Sequence, residues 1–156
     1  MCGFLNWEII LQLILAVVLG GLVGLEREFV RREAGLRTFI LVCLGATLFT
    51  ITSLKFSEIS LGKIGIAYDP TRIIGQIVLG IGFLCAGLII FRGARIEGLT
   101  TAAALWITAA IGATIGVGFY FLAVFTTFLT LLILAGFRII EEKLLRTKEY
   151  KGTHER

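Results

Sequence analysis

The longest charge-free stretch constrains the fold most. It runs for 40 residues, from Gly98 to Phe137. As a single helix this stretch would be about 60 Å long, which is about twice the hydrocarbon thickness of a bilayer. It must therefore fold back, and the sequence GVGFY at 116–120 is the natural position for the turn. Two membrane-spanning helices are predicted from this stretch alone.

Three further apolar tracts bring the predicted number of spans to five. The chain is 57% hydrophobic and 17% charged, whereas a soluble domain has about a quarter of its residues charged. The predicted fold class is therefore all-α, a polytopic integral membrane protein with five transmembrane helices in one bundle rich in small residues. The predicted membrane domain covers residues 1–137, followed by a basic tail at 138–156, and its spans are 9–25, 36–54, 72–91, 98–115 and 119–137.

The distribution of Lys and Arg predicts the orientation of the bundle. With five spans, twelve of the 15 basic residues lie on one side, and only Lys55, Lys63 and Arg72 lie on the other. Because positive charge is retained on the cytoplasmic side, we expect the N-terminus outside and the C-terminus in the cytoplasm. The expected location is a bacterial inner membrane.

Several classes of function are disfavoured by what the sequence carries. The net charge of +4 is spread in short blocks between apolar runs, which is typical of topology signals rather than of a nucleic-acid-binding face. His154 is the only histidine, and the chain has no phosphate loop or metalloprotease signature. We therefore predict no enzyme activity, no cofactor, no nucleic-acid partner and no metal site. Cys2, Cys43 and Cys85 are widely spaced and make no disulfide framework.

The third span begins with polar residues on one face. Asp69, Arg72 and Gln76 are spaced three and four apart, and the stripe continues through Gly80, Phe83 and Gly87. Asp69 followed by Pro70 resembles an N-cap with proline at the first helical position. Gly80 and Gly87 are predicted to allow close helix packing. Two alternatives stay open for the polar residues: the face lines the bundle, or it faces another subunit.

The region between the first two spans predicts a polar contact. Gly20 and Gly24 form a G-x-x-x-G packing face on the first span, and Glu26 and Arg27 follow it at the cytoplasmic surface. Arg37, followed by Thr38, enters the second span on the same side. We expect Arg37 to act as a structural clasp that pairs with one of four carboxylates. These are Glu26, Glu28, Glu33 and Glu97.

The fourth span is predicted to begin near Gly98, with Thr100 and Thr101 as its helix caps. Deeper in this span, the hydroxyl of Thr108 is expected to bond to its own backbone one turn earlier. The indole of Trp106 is expected to find a hydrogen-bond partner within the bundle.

Four stretches, in this order and spacing, resemble the MgtC/SapB family of bacterial membrane proteins. They are GLVGLERE, AGLRTFILVCLGA, DPTRIIGQIVLGIGFLCAGLI and GLTTAAALW. The resemblance implies a five-helix inner-membrane domain and a link to magnesium limitation and, in some pathogens, to survival inside host cells. Some members of the family carry a further cytoplasmic C-terminal domain, and the resemblance here covers the transmembrane domain only.

Carried onto this sequence, the family motifs imply a set of functional or structural positions. Position 85 is commonly glycine in the family, whereas this chain has Cys85. The other positions are Glu26, Arg27, Gly35, Arg37, Thr38, Asp69, Arg72, Gln76, Gly80, Phe83, Leu84, Gly87, Gly98, Leu99, Thr100 and Thr101.

Two functions remain open at the level of sequence. The favoured one is a regulatory or interaction protein that binds other membrane components during adaptation to low magnesium or acid. Its partners are the lipid bilayer and either another membrane protein or further copies of the chain. The alternative is an oligomeric transporter or channel for Mg²⁺ or another small ion. It is less favoured because Mg²⁺ prefers oxygen ligands, often carboxylates, and no acidic residue is predicted at mid-membrane depth.

Overall fold

Five helices dominate the computed structural model, which describes residues 2–60, 69–92 and 95–152. They are α1 (Cys2–Phe29), α2 (Leu36–Ser60), α3 (Thr71–Leu88), α4 (Leu99–Val117) and α5 (Tyr120–Gly152). Each contains a stretch long and apolar enough to cross a membrane. The predicted all-α polytopic fold is therefore confirmed. Lys63 and His154, which bear on the predictions above, lie outside the described residues.

A short hairpin connects α3 to α4. Strands β1 (Ile90–Arg92) and β2 (Arg95–Glu97) pair antiparallel, with Ile90 opposite Glu97. Helix α3 therefore ends at Leu88, three residues before the predicted end at Phe91. Ile89, which follows it, adopts an extended conformation. Gly98 follows the hairpin with φ 86°, and a Cβ there would collide with the carbonyl oxygen of Leu88. Glycine is therefore required at this junction.

The turn between α4 and α5 lies where the sequence predicts it. Gly118 has φ 94°, its N–H donates to the Ile115 carbonyl, and the N–H of Phe119 donates to the Thr114 carbonyl. This pair of bonds is a Schellman motif, in which the residue after the helix takes the left-handed conformation. The long apolar run thus becomes two antiparallel helices.

Helix α4 lies at the centre of the bundle and contacts all four other helices. About 61% of its most apolar stretch is buried, compared with 11% for α3. Its buried side chains include Leu105, Ile111 and Ile115. Helix α3 packs mainly on α4 and touches α2 much less, so it lies at the edge of the bundle.

Glycines on both neighbours of α2 allow the closest helix contacts. A Cβ at Gly20 of α1 would lie 2.7 Å from Cys43 Cβ, and one at Gly24 would lie 2.8 Å from Leu36 Cα. On the α4 side, a Cβ at Gly116 would lie 2.6 Å from Thr50 Cβ. Apolar burial does little to join helices in lipid, so such packing and interhelical hydrogen bonds must hold the bundle together.

Candidate functional site

A buried arginine lies at the end of α1. Arg27 is 2% exposed and its Nε donates to the carboxylate of Glu26. Its Nη1 is also buried, and it has no hydrogen-bond partner among the described residues. A buried guanidinium is costly unless it is paired, so this pair fixes the polar end of α1. The sequence singles out both residues but gives no sign that the arginine is inside the protein.

Glu28, rather than Arg37, joins α1 to α2. The Glu28 carboxylate accepts a hydrogen bond from the backbone N–H of Leu36, the first residue of α2, at 3.0 Å. Gly35 makes room for it, because a Cβ there would collide with the Glu28 carboxylate. A negative charge at this position also complements the dipole at the helix N-terminus. From the sequence, Glu28 is expected only as a partner for Arg37.

The predicted Arg37 clasp is wrong for the part of the chain that is described. Arg37 is exposed and forms no ion pair with any described residue. The carboxylates expected to attract it have other partners: Glu26 binds Arg27 and Glu28 binds the start of α2. Arg37 instead lies at the surface, where it can snorkel toward water.

A third carboxylate ties the loop after α1 to α4. Glu33 accepts a hydrogen bond from the hydroxyl of buried Thr101 at 2.7 Å. This hydrogen bond is the main reason why the pKa of Glu33 is held below its ordinary value. The prediction that Thr100 and Thr101 cap α4 is wrong, because Gly98 occupies the N-cap position and no side chain caps it. Thr100 is exposed.

A polar cavity of about 460 Å³ surrounds this contact. Its charged residues are Arg32, Glu33 and Glu97, so charges of both signs face it. It is completed by Ile96, Gly98, Leu99, Thr100 and Thr101. The described residues contain no group of three or more His, Cys, Asp or Glu that could hold a metal ion.

The polar residues at the start of α3 have separate surroundings. The carboxylate of Asp69 accepts hydrogen bonds from the hydroxyl of Thr71 at 2.7 Å and from its N–H at 2.9 Å. The hydroxyl bond is the main cause of a lowered pKa for Asp69. The helix begins at Thr71, and its N-cap is Pro70 rather than the predicted Asp69. Arg72 and Gln76 are exposed, so their face does not line the interior of this chain.

An apolar groove separates α2 from α3. It has a volume of about 660 Å³ and is called here the α2–α3 groove. Among the described residues that line it, Thr38 at one end and Gln76 toward the other carry the polar side chains. The remaining lining residues are Leu41, Val42, Gly45, Ala46, Phe49, Ile73, Ile77, Gly80, Ile81, Leu84 and Ala109.

The four predicted packing glycines differ in their surroundings. Gly20 and Gly24 approach α2 closely, whereas a Cβ at Gly80 or Gly87 would meet nothing within 4 Å. Among the described residues, neither Gly80 nor Gly87 is in close contact with a neighbouring helix, and Gly80 lines the open α2–α3 groove.

Cys85 and Trp106 differ in burial. Cys85 is buried, and its thiol donates to the carbonyl of Ala102 at 3.2 Å, so a larger residue than glycine fits here against α4. Trp106 is 47% exposed and has no hydrogen bond to a described residue. The prediction of an indole partner within the bundle is therefore not met in the described chain.

Polar side chains that sequence reasoning missed bridge the buried helices. Thr47 Oγ1 lies 2.9 Å from the Cys43 carbonyl oxygen of its own helix and 2.8 Å from the Gly112 carbonyl oxygen of α4. The amide of Gln12 donates to the Ile115 carbonyl at 3.1 Å. Thr108 donates to the Ala104 carbonyl at 2.7 Å, as predicted. A glutamine within an otherwise apolar first span was the available signal for the contact of Gln12.

Comparison with known proteins decides the family. The family model described as the MgtC family matches residues 13–143. This chain belongs to the MgtC family. The match covers all five membrane-spanning candidates except the first few residues of the first one.

Named relatives of this MgtC-family chain come from several bacteria. It is 44% identical over 140 residues to the Escherichia coli protein named "Putative magnesium transporter YhiD", covering 88% of this chain and 64% of that protein. It is 48% identical over 103 residues to "Protein MgtC" of Brucella abortus, covering 66% of this chain and 40% of that one. "Protein SrpB" of Synechococcus elongatus is 40% identical over 138 residues, covering 83% and 75%.

The chain thus spans less than two thirds of the length of the E. coli and Brucella relatives. No solved structure matches it.

Proposed function

We propose that this MgtC-family chain acts in adaptation to low magnesium or acid stress by binding another component of the bacterial inner membrane. In this proposal residues 1–137 are the five-helix membrane domain, and residues 138–156 are a basic cytoplasmic tail. The partner is another membrane protein, and further copies of the chain complete the assembly. The observation that carries the proposal is the α2–α3 groove.

The groove has the dimensions and chemistry to receive a helix. Its lining is almost wholly apolar, and it follows α2 from Thr38 to Phe49, a length of about 16 Å at the helical rise. A Cβ placed at Gly45 on one wall, or at Gly80 on the other, would have no atom within 4 Å. Small residues of this kind let a neighbouring helix approach the backbone in lipid.

The polar groups support a binding role over conduction. Mg²⁺ prefers six oxygen ligands in near-octahedral geometry. Among the described residues, no cluster of three acidic or other metal-binding side chains occurs. The hydroxyls of buried Thr47, Thr108 and Thr127 donate to backbone carbonyls, so their protons are satisfied within the bundle.

The role of the α2–α3 groove can be tested by a substitution that places a larger side chain in it. In cells that lack the native copy, we expect Gly45→Leu to grow as poorly as the deletion strain in low magnesium. Gly136→Leu is the matched control, because Gly136 of α5 also has no atom within 4 Å of a Cβ and does not line the groove. Leucine is a better helix former than glycine, so neither change should weaken its helix. If the Gly45→Leu protein is present in the membrane at the normal level and the cells grow normally, the groove is not needed for the function.

Transport is the second candidate, and the name of the E. coli relative favours it. Purified protein reconstituted alone in liposomes separates the two functions. Our proposal expects no Mg²⁺ flux above that of empty liposomes. Flux that falls in Asp69→Asn would instead assign Asp69, at the start of α3, to an ion pathway.

The proposed orientation, with the N-terminus outside, rests on the distribution of Lys and Arg. Reporter fusions to each terminus measure it. A reporter active outside the cytoplasm at the C-terminus would reverse the assignment.

A further inference from the structure

The outward side of α3 carries a continuous row of exposed side chains. We call this row the α3 face; it consists of Arg72, Gln76, Leu79, Phe83 and Ala86. Leu79 is 70% exposed and Phe83 is 82% exposed. The spacing alternates between four and three residues, which is the spacing of the seam in a left-handed pair of helices.

Gln76 distinguishes this face from an ordinary lipid-facing surface. It lies within the apolar span 71–88, it is exposed, and it has no hydrogen bond to any described residue. An amide left without a partner in hydrocarbon is costly, because no water is present there to replace the missing hydrogen bonds. A partner that both donates and accepts would remove this cost.

We propose that the α3 face binds the α3 face of a second copy of this chain, with the two Gln76 amides hydrogen-bonded to each other across a two-fold axis. The proposal deepens the proposed function, on which it rests for the membrane setting. It assigns the contact between copies to the α3 face and the rest of the α2–α3 groove to the other membrane component, with Gln76 at the border of the two surfaces.

The choice of a second copy follows from orientation and from the chemistry of the amide. All copies insert in the same direction, so two α3 helices that meet are parallel and place identical residues at equal depth. A glutamine amide carries both donor and acceptor, so one can pair reciprocally with its own counterpart. A single polar residue in such a seam also fixes the register of the two helices.

The shape of α3 fits the same arrangement. Gly82 and Gly87, on either side of Phe83, have nothing within 4 Å of a Cβ, which leaves space for the bulky ring of the other copy. Arg72 lies at the first turn of α3, beside Asp69. At that end, the two guanidinium groups can reach water, and each lies near enough to the Asp69 carboxylate of its own copy to lower its pKa.

Cysteine cross-linking tests the geometry. Leu79→Cys and Phe83→Cys are introduced with Cys2→Ser, and the protein is purified and reconstituted alone in liposomes. The chain with Cys2→Ser only serves as the blank for the buried thiols of Cys43 and Cys85. Val78→Cys is the matched control, because Val78 is 48% exposed at almost the same depth but points about 100° away from Leu79.

We expect oxidation to give cross-linked dimers at positions 79 and 83 and none above the blank at position 78. Absence of cross-linking at both 79 and 83, or equal cross-linking at 78, would overturn the proposal.

The role of the amide is tested by affinity. Gln76→Leu should weaken dimer formation in liposomes by at least about 3- to 30-fold, because the loss of even one interhelical hydrogen bond in a membrane has an effect of this size. Energy transfer between labelled copies at varied protein-to-lipid ratios measures this, and Val78→Leu is the control. An unchanged affinity in Gln76→Leu would refute the amide pair.

The two proposals fail separately. If Gly45→Leu loses growth but no dimer is cross-linked in liposomes, the function stands and the dimer does not. If the dimer forms and Gly45→Leu grows normally, the groove function is lost and the contact between copies remains.

Discussion

Thr47 shows, at the scale of one residue, how this bundle is held together. Its hydroxyl lies within hydrogen-bond distance of a carbonyl on its own helix and of the Gly112 carbonyl on α4. The hydrogen bond from a threonine hydroxyl to the carbonyl four residues earlier was predictable for Thr108, because it depends only on sequence separation. The second acceptor of Thr47 was not predictable, because it depends on which helix lies beside α2.

Gly112 is expected to tolerate no side chain. A Cβ there would collide with the Cys43 carbonyl oxygen and lie 3.0 Å from Ala46 Cβ. Gly112→Ala should therefore lower the free energy of unfolding by about 1–3 kcal/mol. Gly136→Ala, in open surroundings, should leave it unchanged or raise it by up to about 1 kcal/mol. Thermal unfolding in detergent measures both, and equal effects would contradict the close approach of α4 to α2.

The contact of Glu33 with Thr101 should be visible in its titration. Thr101→Val removes the donor, so the pKa of Glu33 should rise toward its ordinary value of 4.5. Since the native pKa is the lowered one, the contact stabilises the fold fully above pH 4.5, and this stabilisation is lost as the pH falls through the native pKa. Carbon-detected NMR of the Glu33 carboxyl measures the shift. Thr100→Val is the control, and a Glu33 pKa that is the same in Thr101→Val and the native chain would refute the contact.

At the scale of the helix, the ends were harder to predict than the spans. Helix α2 continues six residues beyond the predicted end at 54, through Lys55 and Glu58, which form an ion pair at 2.9 Å. Hydropathy marks those charges as the end of a span, but it does not mark the end of a helix. At α3 the opposite occurs, because the apolar run through Phe91 includes a strand that hydropathy cannot distinguish from a helix.

Arg31 ends α1 in a conformation that usually requires glycine. Its φ is 55°, its N–H donates to the Glu28 carbonyl, and the N–H of Arg32 donates to the Arg27 carbonyl. This is the same Schellman motif that Gly118 forms after α4. The left-handed conformation costs a residue with a side chain about 1–2 kcal/mol.

Arg31→Gly should therefore stabilise the protein. We expect its free energy of unfolding to rise by about 1 kcal/mol, and Gly118→Ala to lower it by a similar amount. Both are measured by thermal unfolding in detergent. A loss of stability in Arg31→Gly would mean that this exposed side chain makes a contact worth more than the strain.

At the scale of the whole molecule, the sequence predicts the number of spans and their order well but not which helices are neighbours. The need for the long apolar run to fold back follows from bilayer thickness, and the sequence GVGFY marks the position of the turn at 116–120. By contrast, the Arg37 clasp failed because one carboxylate is bound to Arg27 and another to the backbone of α2. Which group each carboxylate binds depends on distances in the folded bundle. The exposure of Gln76 likewise depends on α3 lying at the edge.

The central position of α4 has a consequence for synthesis. Helices α1, α2 and α3 leave the ribosome first, yet each of them packs against α4. Until α4 is inserted, the face of Thr47 and Thr50 lacks the neighbour that it has in the folded bundle, Gly112 and Gly116. A nascent chain of three spans is therefore an incomplete membrane protein, and arrival of the fourth span is the step that closes its core.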